Sequence, residues 1–398
     1  MARSNVTAIG SGKAAAPVAA VPTASAPASG LAALCDALDA SFPERHSVIR
    51  AVARAFLAGE HVFILGEPGT GKSLLIRCFS QALGLSYWET LVGRFTTPEQ
   101  LFGPLSIPGL QKDRFTRAYQ NYMPSFQVCF LDEIWKCNPG CLNTLLSITN
   151  ERVFHDDGKA INVPLNTMVT ASNELPESES ELGAIYDRCA VRLVTQYIED
   201  RDAFKSLITS PTPAVPSVSI DFAAEQAACK AVVIPASVVE ALVDLRYSVR
   251  DAGFKVSDRK WRACLNLIKA SAHLECRSEA CNDDLECLED VLWREPSERT
   301  AISTLIQKIA NPAAAKAVED LDNARKLVAG LPVLDLADTK AFTLAAPGVN
   351  KDLADIAARL AKYPAGKKVA EAIKEVEVLR KRVRVQSMKA AGLPVDEE

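Results

Sequence analysis

Short apolar runs alternate with longer stretches of helical period through the first half of the chain. The runs are "HVFIL" (61–65), "YWETLV" (87–92), "VCFLD" (128–132), "TMVTAS" (167–172) and "VRLVTQY" (191–197). Each is too short for a helix, and the segments between them are long enough to cross back over a sheet. That alternation predicts five parallel strands covered by helices on both faces. One segment breaks the rhythm. In "RVFHDDGKAINV" (152–163), Asp157-Gly158 sits between two β-prone arms and predicts a hairpin.

The pattern changes after "TSPTPAVPSVS" (209–219), whose three prolines predict a linker. Helical spacing then takes over. "PASVVEALVDLRYSVRDAG" (235–253) opens on proline and stops at Gly253. "SDRKWRACLNLIKASAHL" (257–274) starts at Ser257, a residue able to cap it, and puts Trp261, Leu265, Ile268 and Ala272 on one face. From Pro296 onward the chain reads as helical, with breaks at "GLPVLD" (330–335) and "AAPGVN" (345–350). The last helix, "GKKVAEAIKEVEVLRKRVRVQSMK" (366–389), carries Val369, Ile373, Val376 and Val383 on one stripe and is basic elsewhere. At the other end, "MARSNVTAIGSGKAAAPVAAVPTASAPASG" is small-residue text broken by three prolines, without the bulky apolar core of a signal peptide, and reads as a disordered tail. The expected division is a tail (1–30), an αβα core (31–210), a helical lid (211–292) and a helical C-terminal extension (293–398).

Composition narrows the class. Of 398 residues, 48% are hydrophobic and 24% charged, and the net charge is −4, which gives no general attraction to nucleic acid or anionic lipid. No stretch approaches the ~18 uncharged apolar residues of a membrane-spanning helix. The eleven cysteines include no C-x-x-C pair, and several sit among apolar neighbours, so they read as reduced thiols of a cytoplasmic protein and not as a zinc or disulfide framework. A metal site at Cys276, Cys281 and Cys287 is a remote alternative.

The chemistry begins where the first apolar run ends. "GEPGTGKS", Gly66, Glu67, Pro68, Gly69, Thr70, Gly71, Lys72 and Ser73, followed by Leu74, matches G-x-x-x-x-G-K-[ST]. Glycines let backbone N–H groups turn toward an anion, and the helix starting near Lys72 adds its positive end. Lys72 is expected to reach the β- and γ-phosphates of ATP, and Ser73 to ligate Mg²⁺. "VCFLDEIWK" (128–136) is an apolar strand ending in two carboxylates. Asp132 is expected to hold Mg²⁺ and Glu133 to polarise the attacking water. A third strand, "TMVTASNELP" (167–176), ends at Asn173, a neutral amide suited to sensing a γ-phosphate; a local turn is the plainer reading of that Asn.

With "GEPGTGKS", "EQLFGPLS" (99–106), "FLDEIWK", "LLSITNERVF" (145–154), "ASNELPE" (171–177) and "YDRCAVRL" (186–193) in hand, the chain resembles the AAA+ ATPases, within them the MoxR group, and within that the RavA branch. The resemblance covers residues 40–290 and is much weaker over the tail and the C-terminal part. It implies an α/β P-loop core with a five-stranded parallel sheet and an all-α lid, to which the helical pattern beyond Pro296 adds a helical C-terminal appendage. It also implies a ring, usually a hexamer, with ATP between subunits and an arginine finger from the neighbour. By motif position the finger is Arg188 in "YDR", with Arg192 as runner-up, and the lid's second sensor is Arg259 in "VSDRKW". The segment 101–124 resembles the helix-2 insert of the group, where Phe115 and Tyr119 either meet a client or pack on their own hairpin. Members of the group typically act on client proteins with a partner that carries a von Willebrand factor A domain.

Two other classes compete. A pure ATP-binding scaffold has no use for Glu133 or Arg188. A nucleic-acid motor has one feature, the basic terminal helix, with eight Lys and Arg against three Glu; a solvated face explains that equally well.

Overall fold

The five apolar runs pair into one sheet because alternate residues of each can be buried on opposite faces. A computed structural model describes residues 30–176, 182–210, 215–216, 220–332, 339–363 and 367–390. The tail and most of the 209–219 linker lie outside the described residues. The core opens with α1 (Gly30–Ser41) and α2 (His46–Ala58), then β1 (Val62–Gly66), α3 (Lys72–Ala82), β2 (Tyr87–Leu91), α4 (Pro98–Phe102), α5 (Ile107–Leu110), β3 (Val128–Asp132) and α6 (Pro139–Glu151). The hairpin β4 (Val153–Asp156) and β5 (Lys159–Asn162) follows, turning at Asp157-Gly158 as expected, and then β6 (Thr167–Ser172), α7 (Leu182–Arg188), β7 (Val191–Thr195) and α8 (Arg201–Thr209). The sheet order is β2-β3-β6-β1-β7, and every pairing is parallel.

Strand residues divide by parity. Val62 and Ile64 face one cluster with Val128, Phe130, Val169 and Ala171, against α1, α2 and α3. Phe63, Cys129, Leu131 and Met168 face the other, against α6 and α7. β6, in the middle, is buried at every residue. At the lower end of β1, buried His61 ties three elements together. Its Nδ1 accepts from the Met168 N–H (2.9 Å), and its Nε2 meets the Thr149 carbonyl (2.9 Å).

The lid is built from α9 (Phe222–Ala231), α10 (Ala236–Asp251), α11 (Asp258–Leu274), a 3₁₀ stretch at Asn282–Asp290 and α12 (Arg299–Ala310). Its apolar faces join the α1–α3 side of the core in one cluster, with α11 packed on α2. Ile268 and Ala272 are buried there as the helical spacing predicts, and Trp261 and Leu265 are half-buried. Ser257 precedes α11 but its hydroxyl does not cap it; it donates to the Asp187 carboxylate at 3.0 and 3.3 Å, joining the lid to the end of α7. Ile302, Ile306 and Ala310 of α12 belong to the same cluster, so the packing changes at Asn311.

Beyond Asn311 stands a separate bundle of α13 (Pro312–Ala329), α14 (Lys340–Leu360) and α15 (Lys367–Ala390) with its own apolar centre. The expected break at 345–350 does not occur: α14 runs through Pro347. Proline in a helix costs about 3 kcal/mol. Here Phe342, Ala346, Leu353, Ile356 and Leu360 bury one continuous face, and that burial outweighs it. The predicted Val369, Val376 and Val383 stripe of α15 is buried in this centre, with Ile373 at its margin.

Candidate nucleotide-binding site

The loop 66–73 leaves β1 where β1 and β7 run side by side. A Cβ on Gly66 would lie 2.0 Å from Thr195 Oγ1 and 2.5 Å from the Thr195 carbonyl, so only glycine lets the loop depart here. Gly69 and Gly71 have φ of +79° and +78°, in the left-handed region, and nothing lies within 4 Å of where their side chains would start. That open, backbone-lined cradle faces the start of α3. Thr70 Oγ1 braces the loop by donating to the Glu67 carbonyl (2.9 Å), and Tyr197 OH donates to the Pro68 carbonyl (3.2 Å). Lys72 Nζ donates to the carbonyls of Gly66 (2.8 Å) and Glu67 (2.9 Å). Partial burial pushes the Lys72 pKa down, while the nearby carboxylates of Asp132, Glu133 and Glu67 oppose that shift. Ser73 and Leu74, in the first turn of α3, are half-buried.

The acids stand at the same end of the sheet. Asp132 closes β3, and its Oδ1 accepts from the Glu133 N–H (3.1 Å). Glu133 has φ 55° and ψ 41°, a left-handed conformation uncommon outside glycine and frequent at functional sites. Lys136 Nζ sits 3.1 Å from Glu133 Oε2; the oxygen has no hydrogen bond, so the contact is Coulombic. β6 lies between β3 and β1, with Leu131 opposite Thr170 and Leu65 opposite Ser172. Asn173, one residue further, is exposed at the edge shared by the loop and the acids. The structure therefore brings Gly66–Leu74, Asp132, Glu133 and Asn173 together.

The arginines lie elsewhere. Val191 at the start of β7 pairs with Val62 at the start of β1, and Thr195 pairs with Gly66 at its end. Those four steps of strand span about 13 Å. Arg188 precedes Val191, at the edge of the sheet away from its own phosphate loop. It is half-buried, and its Nη1 donates to the Ala184 carbonyl (2.8 Å). Burial pushes its pKa down, and the like charge of Arg259 adds to that shift; the Ser257–Asp187 bond holds the start of α11 against the end of α7. Arg259 is exposed in the first turn of α11. Arg192, by contrast, is buried: Nη1 donates to the Trp293 carbonyl (2.5 Å) and Nη2 to that of Tyr186 (3.1 Å).

Sequence reasoning missed three residues at the phosphate-loop end. Thr195 and Tyr197 follow the last apolar run, and only the adjacency of β7 to β1 reveals their role. Lys136 stood inside the quoted "FLDEIWK", three residues after Glu133, a spacing that brings side chains together on one helical turn.

Comparison with known proteins agrees with this geometry. Residues 29–211 match the family model of the MoxR domain in the MoxR-vWA-beta-propeller ternary systems, and residues 237–306 match an AAA lid domain. An uncharacterized protein of Methanocaldococcus jannaschii is 38% identical over 71% of this chain and 76% of its own length. The chain belongs to the MoxR group of AAA+ ATPases. A second uncharacterized protein of the same organism is 36% identical over 75% of this chain and 79% of its own. A crystal structure of a candidate ATPase from Cytophaga hutchinsonii shares the fold, with a TM-score of 0.57 over 70% of this chain and 94% of its own, at 15% identity. The α/β core is thus an AAA+ core, and α9–α12 contain its lid. For this group the open cradle at Gly69 and Gly71, with a lysine and two carboxylates beside it, has the donor set that a nucleoside triphosphate with a divalent cation requires.

Proposed function

We propose that the protein hydrolyses ATP at the junction of two subunits in a ring, a hexamer on the pattern of its group. One observation carries this reading: Lys72, Asp132 and Glu133 gather at one end of the sheet, while Arg188 lies toward the other, where the Ser257–Asp187 bond holds the start of α11, with Arg259, against α7. A head-to-tail contact puts the second end of one copy against the first end of the next, and such contacts repeat until the ring closes.

The chemistry that Mg²⁺ would supply when bound is neutralisation of the negative charge on the phosphates. In this chain Ser73 and Asp132 would hold the cation, and Lys72 would leave the Gly66 and Glu67 carbonyls for the β- and γ-phosphates. The backbone N–H groups of 69–73 would orient the triphosphate, with Leu74 beneath them. Glu133 would accept a proton from the attacking water, and Asn173 would place that water. Arg188 of the neighbour would stabilise the transition state, and Arg259 would hold the same phosphates from the lid.

The wording of "FLDEIWK" and "ASNELPE" supports the RavA branch, and the family model's name supports a von Willebrand factor A domain partner; a protein client rests on the resemblance to the MoxR group alone. A cytoplasmic place suits the cysteine usage; among the described residues no helix is long and apolar enough to cross a membrane. The client surface would be the insert after α4. Phe115 is 67% exposed, whereas Tyr119 packs edge-on against Phe154 at 5.7 Å. The insert is pinned to the β4–β5 hairpin, since the Phe115 N–H donates to Asp157 (3.1 Å) and the Arg117 N–H to Asp156 (3.0 Å). Phe115 is therefore the client-facing candidate of the two.

The test mixes two inactive variants. Lys72→Ala lacks the nucleotide contact but keeps its finger; Arg188→Ala keeps the nucleotide site but lacks a finger. Mixed rings contain some junctions with both intact, and partial ATPase activity should return. A mixture that stays inactive while mass photometry shows mixed rings would argue against trans action.

A further inference from the structure

Among the described residues, nothing covers the apolar face of α8. The helix buries no residue, and Phe204, Leu207 and Ile208 are 51%, 48% and 66% exposed. Their spacing puts all three on one face, the pattern of a helix built to be covered. The helix projects from the phosphate-loop end of the sheet: Thr195 abuts Gly66, and Tyr197, four residues before α8, bonds Pro68. Four exposed acids, Glu67, Glu199, Asp200 and Asp202, outnumber exposed Arg201 and Lys205 and make its surroundings acidic.

The opposite end carries a matching receptor. A cleft of about 480 Å³ opens between the end of α7 and the α10–α11 corner. Its floor is apolar, with Val249 buried and Phe254, Val256 and Trp261 half-buried. Its rim is basic. Among the cations that line it, Arg246 is paired with Asp258 and Arg250 with Asp251, Arg294 lines it too, and Lys255 has no carboxylate ion pair among the described residues. Asp187 and Ser257, which line the cleft, are beside Arg188 and two residues from Arg259 in the chain.

We propose that α8 of one copy seats its Phe204, Leu207 and Ile208 face in this cleft of the next copy. The inference rests on the head-to-tail reading above and adds the contact that sets it. An apolar helix with acidic surroundings meets an apolar floor with a basic rim, and the two features lie at opposite ends of one chain, as a heterologous interface requires. Docking there carries the neighbour's Arg188 and Arg259 toward the phosphate loop from which α8 projects. The occupant is thus a second copy, because the acidic surroundings of α8 and the basic rim of the cleft belong to opposite ends of one chain, and Arg188 and Arg259 follow the cleft's Asp187 and Ser257 by one and two residues.

The experiment puts the photo-crosslinking residue p-benzoylphenylalanine at position 204 of the full chain and irradiates it with ATP and Mg²⁺ in a Glu133→Gln background. The expected product is a crosslinked dimer whose second attachment maps within residues 246–261 of the other copy. Attachment to the same chain, to another surface of the second copy, or none while mass photometry shows rings, overturns the proposal. In parallel, Phe204→Asp should raise the protomer concentration needed for assembly at least about tenfold with an unchanged melting temperature, since α8 supports no core. Unchanged assembly would overturn the docking as well. If the Lys72→Ala and Arg188→Ala mixture regains activity but the crosslink lands elsewhere, trans hydrolysis stands and the α8 contact falls. If the protein hydrolyses ATP as a monomer, both fall.

Discussion

The Arg192 guanidinium lies 3.7 Å above the ring of Tyr186, so the arginine four residues after Arg188 is spent inside its own subunit. Cation–π contact and two carbonyl bonds hold it, and Lys260 beside it donates to the Val291 carbonyl at 3.0 Å. This division separates two variants that the sequence alone treats alike. Arg192→Met should leave the Tyr186 and Trp293 carbonyls without their donors and lower stability by about 1–3 kcal/mol. Arg188→Ala should leave the melting temperature nearly unchanged and reduce turnover, by up to about 10³-fold where a finger acts fully. Thermal melts and steady-state ATPase assays on both variants check this. Normal turnover in Arg188→Ala with lost turnover in a folded Arg192→Met would reverse the assignment.

Lys72, Glu133 and Lys136 should separate by kinetic step. Lys72→Ala should weaken nucleotide binding, because it removes a point charge from the phosphates. Glu133→Gln should bind ATP and not turn it over. Lys136 touches Glu133 and not the phosphate loop, so Lys136→Met should lower kcat by about tenfold at unchanged ATP affinity, through loss of the charge that positions the carboxylate. Lys136→Arg should recover most of the rate. Calorimetric affinities beside kcat values decide it: an affinity loss in Lys136→Met equal to that in Lys72→Ala would show that Lys136 serves binding instead.

Most of the phosphate-loop end could be read from the sequence, because its residues are contiguous in short motifs at strand ends. "GEPGTGKS" and "FLDEIWK" carry their own geometry once the flanking strands pair. The positions of Arg188 and Arg259 could not be read in this way. Their placement depends on where α7 meets α11, and the Ser257–Asp187 bond that joins the two helices spans 70 positions of chain. A serine at a helix start looks like a cap in any sequence, and only tertiary contact redirects its hydroxyl. The missed continuity of α14 has the same origin. Pro347 and Gly348 argue locally for a break, and the buried face that overrules them is supplied by α13 and α15.

His61 makes acid stability a test of the core. Burial, reinforced by the Arg152 guanidinium, pushes its pKa down to about 3, against about 6.5 in an unfolded chain. The folded ring is neutral, with Nδ1 accepting from Met168. Below pH 6.5 the unfolded chain therefore binds a proton that the folded one refuses. Stability from this group is complete above that pH and falls by up to about 1.4 kcal/mol per unit as the pH drops toward 3. Urea midpoints measured between pH 7 and 4 should fall, and the fall should be shallower in His61→Gln, which has no ring to protonate. An equal slope in both proteins would place the acid sensitivity in other groups.

The C-terminal bundle should come apart without the motor. Its apolar centre is a cluster of its own, and α12 is its principal packed link to the lid. Val376 is fully buried in it, and Asp320 is held by Arg359 (2.8 Å) and by Tyr363 OH (2.9 Å). Val376→Asp puts a carboxylate where no partner waits, a change that costs several kcal/mol and exceeds what a three-helix unit of this size holds in reserve. Amides of 312–329, 340–360 and 367–390 should then lose hydrogen-exchange protection together. Those of β1, β3 and β6 should keep it, and nucleotide binding at Lys72 should be unchanged, because no bundle residue lies in the core clusters that support the loop. Loss of protection in β6 at the same denaturant concentration would mean that the bundle and core unfold as one unit.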